Sequence, residues 1–154
     1  MPVRWTDDEN KRQSYLTNLA SVDYVILPSQ RSIWSICRLP RMYPMTIEYY
    51  RALFDGRLGF QQVAQFQAPW KIGPLEISDV GGTLAWNKQP DLPRFNFNFF
   101  AAEEAFSVYD HPPVWIFKKE QGFSMAQAQS ILESVDLSQA TFQAPHDTKV
   151  VAIK

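Results

Sequence analysis

The run AEEAFSVYDHPPVWIFKK at residues 102–119 decides how the rest of the chain must be arranged. Its apolar part, Val114 to Phe117, is β-branched or aromatic throughout and lies between two prolines and two lysines. Such a run predicts a short strand that is buried on both faces. Pro112 and Pro113 donate no backbone N–H, so they mark where the strand begins. The other segments therefore have to supply a core that surrounds this strand.

The chain before this run alternates between helix and strand patterns. A capping box at residues 6–9 predicts a helix that ends near residue 20 and packs through a narrow apolar stripe of Tyr15, Leu16 and Leu19. Strand patterns follow at 24–27 and 60–66, and a second helix, opening at Pro44, lies between them. Strands connected through helices favour crossover connections, and these make neighbouring strands parallel.

Two further elements complete the predicted fold. Ser124 and Gln127 form a second capping box, which begins a helix that runs to about Val135, and residues 149–154 read as a last short strand. We therefore predict an α/β fold of two or three layers, with a mixed, mostly parallel sheet of about five strands and about three helices.

The length of 154 residues suits one domain with a real hydrophobic core, so we expect residues 1–154 to form a single α/β domain. An excursion rich in proline, glycine and aromatic residues interrupts it at about residues 68–100, and one short strand or hairpin is expected there. Within the excursion, FNFNFF at residues 95–100 alternates with the period of a strand.

Composition excludes several classes of function. The net charge is −1, and basic residues form no cluster larger than a pair such as Lys118-Lys119, so a nucleic-acid partner is not expected. A single cysteine, Cys37, permits neither an internal disulfide nor a zinc site of the cysteine type. The glycine motifs that bind dinucleotides or nucleotide phosphates are absent, so no cofactor is expected. His111 and His146 lie in no HxH or HExxH spacing, so no metal is expected either. No apolar run approaches the ~20 residues that span a bilayer.

The first place to look for a site is the segment at residues 29–43, which follows the first predicted strand and has no sustained period. Loops at strand ends often bind ligands in α/β folds. The competing interpretation is a covering loop whose Trp34, Ile36 and Leu39 fill the core.

Asp110 and His111 are the other candidates, because carboxylate and imidazole are the usual acid–base pair. A small hydrolase or transferase could use them. The commoner role of such residues is to fix a turn through bonds to the backbone, and Cys37 is more often an inert thiol than a nucleophile.

Three segments, in this order, also carry a resemblance to a known family: SVDYVILPSQR at 21–31, RLPRMYPMTIEYYRALFDGRLGFQQVAQF at 38–66 and EEAFSVYDHPPVWIFKK at 103–119. They resemble the C-terminal soluble portion of large polytopic prokaryotic membrane proteins. These are the dolichyl-phosphate-mannose-type, or family 39, glycosyltransferases and the related "YYY" membrane proteins. Together the three segments span 57 of the 154 residues.

The resemblance implies a soluble domain on the extracytoplasmic face of a prokaryotic membrane, as part of a larger membrane protein. It would help a glycosyltransferase to bind sugar acceptor, donor or a partner, so the expected partners are the parent's membrane domain and a carbohydrate or lipid-linked sugar. The family's catalytic acid lies in a loop between membrane helices, so no catalytic residue is carried over.

The resemblance also implies contact residues in the loop after the first strand, in the second helix and in the turn before the central strand. They are Ser29, Gln30, Arg31, Arg38, Tyr43, Tyr49, Tyr50, Tyr109, Asp110 and His111. Arg31 and Arg38 could hold a phosphate or a carboxylate, or could instead clamp the loop onto helix carbonyls. Two alternatives remain: a stand-alone enzyme that uses Asp110 and His111, and a structural domain that binds no small ligand.

Overall fold

The computed structural model describes residues 6–37, 39–66, 70–72, 75–77, 112–138 and 140, with side chains omitted at Trp34, 70–72 and 75–77. Nine elements lie in these ranges. They are α1 (Glu9–Ser21), β1 (Tyr24–Leu27), α2 (Arg31–Cys37), α3 (Pro44–Phe54), β2 (Phe60–Phe66), β3 (Trp70–Ile72), β4 (Leu75–Ile77), β5 (Val114–Lys119) and α4 (Met125–Glu133).

Within the part of the chain that the structure describes, the main sheet has three strands in the order β1-β5-β2, and β5 pairs antiparallel with both neighbours. The predicted mixed, mostly parallel sheet of about five strands is therefore wrong for the described part of the chain, which also holds four helices rather than about three. The two strands joined by helices, β1 and β2, do run parallel to each other. They are not neighbours, because the apolar strand β5 inserts between them and bonds to both.

The sheet packs its helices on one face. Trp115 and Phe117 of β5 are fully buried there, and the ring of Phe54 from α3 meets both edge-on, with centroids 5.6 and 5.1 Å away. On the opposite face Ile26 and Phe66 are exposed, at 56% and 61%. The prediction that the central strand is buried on both faces is thus wrong: β5 is buried on the helix side and half-buried on the other.

Helix α1 begins two residues later than the capping box at residues 6–9 predicts. Asp8 is the N-cap, and its side chain accepts a hydrogen bond from the backbone N–H of Lys11 at 2.7 Å. The predicted cap at Thr6 is wrong because the next residue, Asp7, turns its carboxylate into the protein interior instead of toward solvent. The predicted apolar stripe of Tyr15, Leu16 and Leu19 is buried.

The segment at residues 29–43 is not the irregular loop that its lack of period suggested, because it contains the two-turn helix α2. Ile33 and Ile36 are buried, so this helix covers part of the core. Leu39 is 44% exposed and does not fill the core as the covering-loop interpretation supposed. Trp34 belongs to α2, but its side chain lies outside the described residues.

Helix α3 and strand β2 have the predicted positions. Pro44 opens α3, and Gly56 follows it in the left-handed conformation, with φ +82°. A turn through Gly59, also left-handed at φ +72°, leads into β2. The register between β2 and β5 shifts at Val63, so this strand carries a β-bulge that the alternation pattern did not predict.

Helix α4 begins at the predicted cap, where the Ser124 hydroxyl accepts from the backbone N–H of Gln127 at 3.3 Å. The Gln127 side chain does not complete the box, since its amide donates to the carbonyl of Arg57 at 2.9 Å. The predicted hairpin is present at the start of the excursion as the antiparallel pair β3-β4. The predicted strands at 95–100 and 149–154 lie outside the described residues.

Candidate functional site

A groove of about 440 Å³ lies beside β1. All four residues of this strand line it: Tyr24, Val25, Ile26 and Leu27. Successive side chains of a strand point to opposite faces of a sheet, so a cavity that touches all four must run along the edge of the strand and not over one face. We call it the β1 groove.

The groove faces the edge of β1 that is not bonded to β5. Lys119 donates its backbone N–H to the carbonyl of Asp23 at 2.8 Å, and Val25 stands opposite Phe117 in the register. Because hydrogen bonding alternates along an antiparallel pair, Asp23, Val25 and Leu27 bond to β5. The N–H and C=O groups of Tyr24 and Ile26 therefore point away from β5, toward the groove.

The far wall of the β1 groove comes from three helices and the turn before α2. Its members have uncharged side chains: Tyr15, Asn18, Val22, Pro28, Ser29, Ser32, Tyr49 and Tyr50. Together with β1 this makes a lining without a charged residue in the described part of the chain. An uncharged, partly hydroxylated lining suits a neutral ligand with hydrogen-bonding groups.

Three of these lining residues are buried tyrosines that pack against one another. The rings of Tyr15 and Tyr49 lie 4.8 Å apart, and those of Tyr49 and Tyr50 lie 5.5 Å apart. Burial raises the pKa of all three phenols well above the ordinary value. For Tyr15 an interaction with the Thr46 hydroxyl opposes this rise. All three phenols are therefore neutral hydrogen-bonding groups and not bases at physiological pH.

The structure brings three of the predicted contact residues together in the β1 groove: Ser29, Tyr49 and Tyr50. The Ser29 hydroxyl also accepts from the backbone N–H of Arg31 at 3.1 Å, which helps to start α2. Gln30, between them, is fully buried.

Of the remaining predicted contact residues, those that the structure describes are not among the lining residues of the groove. The ring of Tyr43 lies 5.1 Å from the Nζ of Lys11, and the same ammonium group lies 5.7 Å from the ring of the lining residue Tyr15. Four others, Arg38, Tyr109, Asp110 and His111, lie outside the described residues.

Sequence reasoning missed the wall that α1 contributes. In the sequence, Tyr15 belongs to the apolar stripe of α1, and neither Asn18 nor Val22 carries a signal for a site. These residues line the groove because α1 lies across from the edge of β1. That position is set by the tertiary fold and not by local sequence. The one available signal was the change from helix to strand within residues 21–24, since so short a connection keeps the end of α1 beside β1.

Sequence reasoning also missed a buried polar cluster at the start of α3. Asp7 is buried, and its Oδ1 atom receives the Nζ of Lys11 at 2.8 Å and the hydroxyl of Thr46. Its Oδ2 atom accepts from the backbone N–H of Thr46 at 2.8 Å. Burial lowers the pKa of Lys11, although its bond to Asp7 opposes that shift. The cluster joins two helix starts and lies outside the groove.

The described residues contain no other arrangement that points to catalysis. They hold no group of three or more His, Cys, Asp or Glu side chains that could bind a metal ion. Burial raises the pKa of Cys37 to about 12, so its thiol is protonated at neutral pH and is a poor nucleophile. None of the helices in the described ranges is both long and apolar enough to cross a membrane.

Comparisons with protein-family models, curated proteins and solved structures returned no match to this chain. The resemblance to membrane glycosyltransferases therefore remains a prediction from the sequence.

Proposed function

We propose that this chain is a non-catalytic binding domain and that the β1 groove is its binding site. The observation that carries the proposal is the groove itself: about 440 Å³ of space lined by uncharged residues, beside the edge of β1 that pairs with no other strand in the described residues. Concave sites with an apolar wall and a few hydrogen-bonding groups are typical of ligand binding. Its hydroxyl groups and protonated phenols can orient a ligand, and burial raises the pKa of the phenols, which makes them weak acids near neutral pH.

The lining defines the chemistry of the ligand. A charged ligand would lose its hydration on entering the groove and would meet no opposite charge, which costs free energy. A neutral ligand with hydrogen-bonding groups meets tyrosine rings, serine hydroxyls and strand carbonyls instead. A neutral saccharide or an uncharged peptide segment satisfies this description.

The biological setting we propose follows from the sequence resemblance. The domain would belong to a membrane glycosyltransferase that uses lipid-linked sugars, on the extracytoplasmic face, and would help that enzyme to bind acceptor, donor or its own membrane domain. Agreement between Ser29, Tyr49 and Tyr50 as expected contact residues and as lining residues supports this setting.

The proposal is tested by filling the groove. Ser32 lines it, whereas Ser35, on the same helix, is exposed and does not. Wild-type protein and the variants Ser32→Trp and Ser35→Trp are titrated by calorimetry with methyl mannoside, methyl glucoside and a set of uncharged pentapeptides. We expect binding of at least one probe by wild type and by Ser35→Trp, and loss of it in Ser32→Trp. Equal binding by all three proteins, or binding by none, would overturn the proposal.

A further inference from the structure

We propose that the occupant of the β1 groove is an extended, uncharged peptide segment from a partner chain, which adds to the sheet as a strand beside β1. This inference rests on the proposed function and names the class of partner. The main sheet would then have the order partner-β1-β5-β2, with backbone hydrogen bonds between the partner segment and β1.

The backbone of β1 supplies the first argument. In the described residues the strand pairs with β5 alone, and the N–H and C=O groups of Tyr24 and Ile26 point to the other side. An edge that keeps such groups open is a template for another strand. Natural proteins usually blunt such an edge with charged side chains, but β1 is YVIL, without a charge.

The side chains of β1 supply the second argument. Val25 on the helix face is buried, while Tyr24 and Ile26 on the opposite face are 50% and 56% exposed. A strand laid along this edge would place alternate residues against each of these two apolar surfaces. The partner segment should therefore be apolar or uncharged on both of its faces, which matches the uncharged lining of the groove.

The walls of the groove exclude a second copy of β1 as the occupant. Besides β1, the space is lined by residues at the end of α1, such as Asn18 and Val22, and by residues around the start of α2, such as Ser29 and Ser32. The β1 strand of another copy carries the same walls, so the two edges cannot approach each other. A single extended segment without such flanking helices has room.

A saccharide also fits the uncharged lining, but its hydroxyl groups would not match the regular spacing of the backbone N–H and C=O groups on this edge of β1. Tyr24 and Ile26 lie two residues apart on one strand, so their bonding groups repeat at about 6.6 to 6.8 Å. An extended peptide has this repeat on each of its edges.

The test uses acetyl-TVTVT-amide as the probe and hydrogen exchange of the full chain as the readout. We expect exchange at the amides of Tyr24 and Ile26 to slow at least about tenfold when the peptide is saturating, since each amide then gains a backbone bond. Exchange at Val25 and Leu27, which already bond to β5, should change little. If Tyr24 and Ile26 already exchange slowly in the free protein, another segment of the chain pairs with this edge, and the inference is wrong.

Methylated peptides provide the control for the backbone bonds. N-methylation of every peptide amide removes all donors and leaves the side chains in place, so affinity should fall at least about tenfold, which equals 1.4 kcal/mol. Unchanged affinity would overturn the inference. Successive N–H groups of an extended peptide point to opposite edges, so methylation of alternate amides blocks only one edge of the peptide. Of the two peptides with alternating methylation patterns, the one that keeps its N–H groups on the edge facing β1 should still bind.

Ile26→Pro provides the control on the protein. It removes a donor that points away from β5, so the sheet should tolerate it as an edge-strand proline. We expect folded protein that no longer binds the peptide, and retained binding would overturn the inference. If the variant does not fold, the methylated peptides still decide. Binding of methyl mannoside or methyl glucoside without peptide binding would overturn this inference and leave the proposed function intact, whereas binding of no probe would overturn both.

Discussion

The carboxylate of Asp7 caps helix α3 through the backbone N–H of Thr46, 39 residues away in the sequence, at 2.8 Å. Helix α3 has no side-chain cap of its own at Tyr43, so Asp7 satisfies one of its open N–H groups. The same carboxylate binds the ammonium group of Lys11 at 2.8 Å, and both side chains are buried. One residue thus fixes the starts of α1 and α3 relative to each other.

Replacing Asp7 should therefore be far more damaging than replacing its neighbour Asp8. Asp7→Ala leaves the buried ammonium group of Lys11 without its carboxylate and uncaps α3, so we expect the free energy of unfolding to fall by about 3–5 kcal/mol. Asp8→Ala removes only the local cap of α1 and should cost about 1 kcal/mol. Urea unfolding measures both.

Thr6→Ala tests which residue caps α1, because a capping box at residues 6–9 would make Thr6 the critical residue. We expect little change in stability for this variant. Losses of similar size in Asp7→Ala and Asp8→Ala would contradict the assignment of the buried cluster.

The two left-handed glycines after α3 should respond differently to the same substitution. Alanine at Gly56 meets no atom within 4 Å, so only the left-handed backbone disfavours it, by roughly 1–2 kcal/mol. A Cβ atom at Gly59 would stand 3.2 Å from the Cα and Cδ2 atoms of Phe123, which adds crowding of about 1 kcal/mol or more. We expect Gly59→Ala to have the lower urea midpoint. Equal midpoints would mean that Phe123 gives way without cost.

Hydrogen exchange in the free protein should alternate along β1. Val25 and Leu27 bond to β5 and should exchange slowly, whereas Tyr24 and Ile26 face the groove and should exchange quickly. Amide-resolved exchange by NMR measures all four. Uniform protection of the strand would contradict an open edge, and fast exchange at Val25 would contradict the pairing with β5.

Alkaline pH should destabilise the protein. The pKa of Cys37 is raised from 9.0 to about 12, and those of Tyr15, Tyr49 and Tyr50 are raised from 10.0, all by burial. The folded state therefore keeps protons that the unfolded state releases, so stability is full below the unfolded values and falls as pH rises past them. Lys11 acts in the opposite direction, because its lowered pKa adds stability as pH rises toward 10.5.

Four groups have a raised pKa and only Lys11 acts against them, so we expect the free energy of unfolding to fall above about pH 9. Urea unfolding at a series of pH values measures this. Cys37→Ala separates the contributions. In this variant the fall should begin about one pH unit later, at the ordinary tyrosine value instead of the thiol value. A flat profile through pH 11 would show that these groups are not buried as described.

Local signals predicted the elements that carry them. Pro44 and Gly56 bound α3, and Ser124 starts α4, because each residue has a backbone preference that acts within one turn. The residue at which α1 begins could not be predicted in this way. Thr6 and Asp8 are both good caps, and the choice between them depends on where Asp7 points, which Lys11 and Thr46 determine.

The arrangement of the sheet depends on pairing between distant segments. The sequence indicates that 114–119 is the most strand-like run, and it is indeed the central strand. It does not indicate that this run enters between β1 and β2, because a helical connection between two strands is equally compatible with adjacent parallel strands. The candidate site was likewise only half predictable: Ser29 and Tyr50 were expected from the resemblance, while the α1 wall required the fold.

The most direct test of the central claim is a map of ligand contacts on the isotopically labelled chain. Amide chemical shifts are followed by NMR while methyl mannoside, methyl glucoside and acetyl-TVTVT-amide are added in turn. We predict that at least one of them shifts the amides around the β1 groove, at Val22, residues 24–27 and Ser32. No shift with any probe, or shifts confined to the separate surface between α1 and α4 around Thr17 and Gln129, would contradict the account.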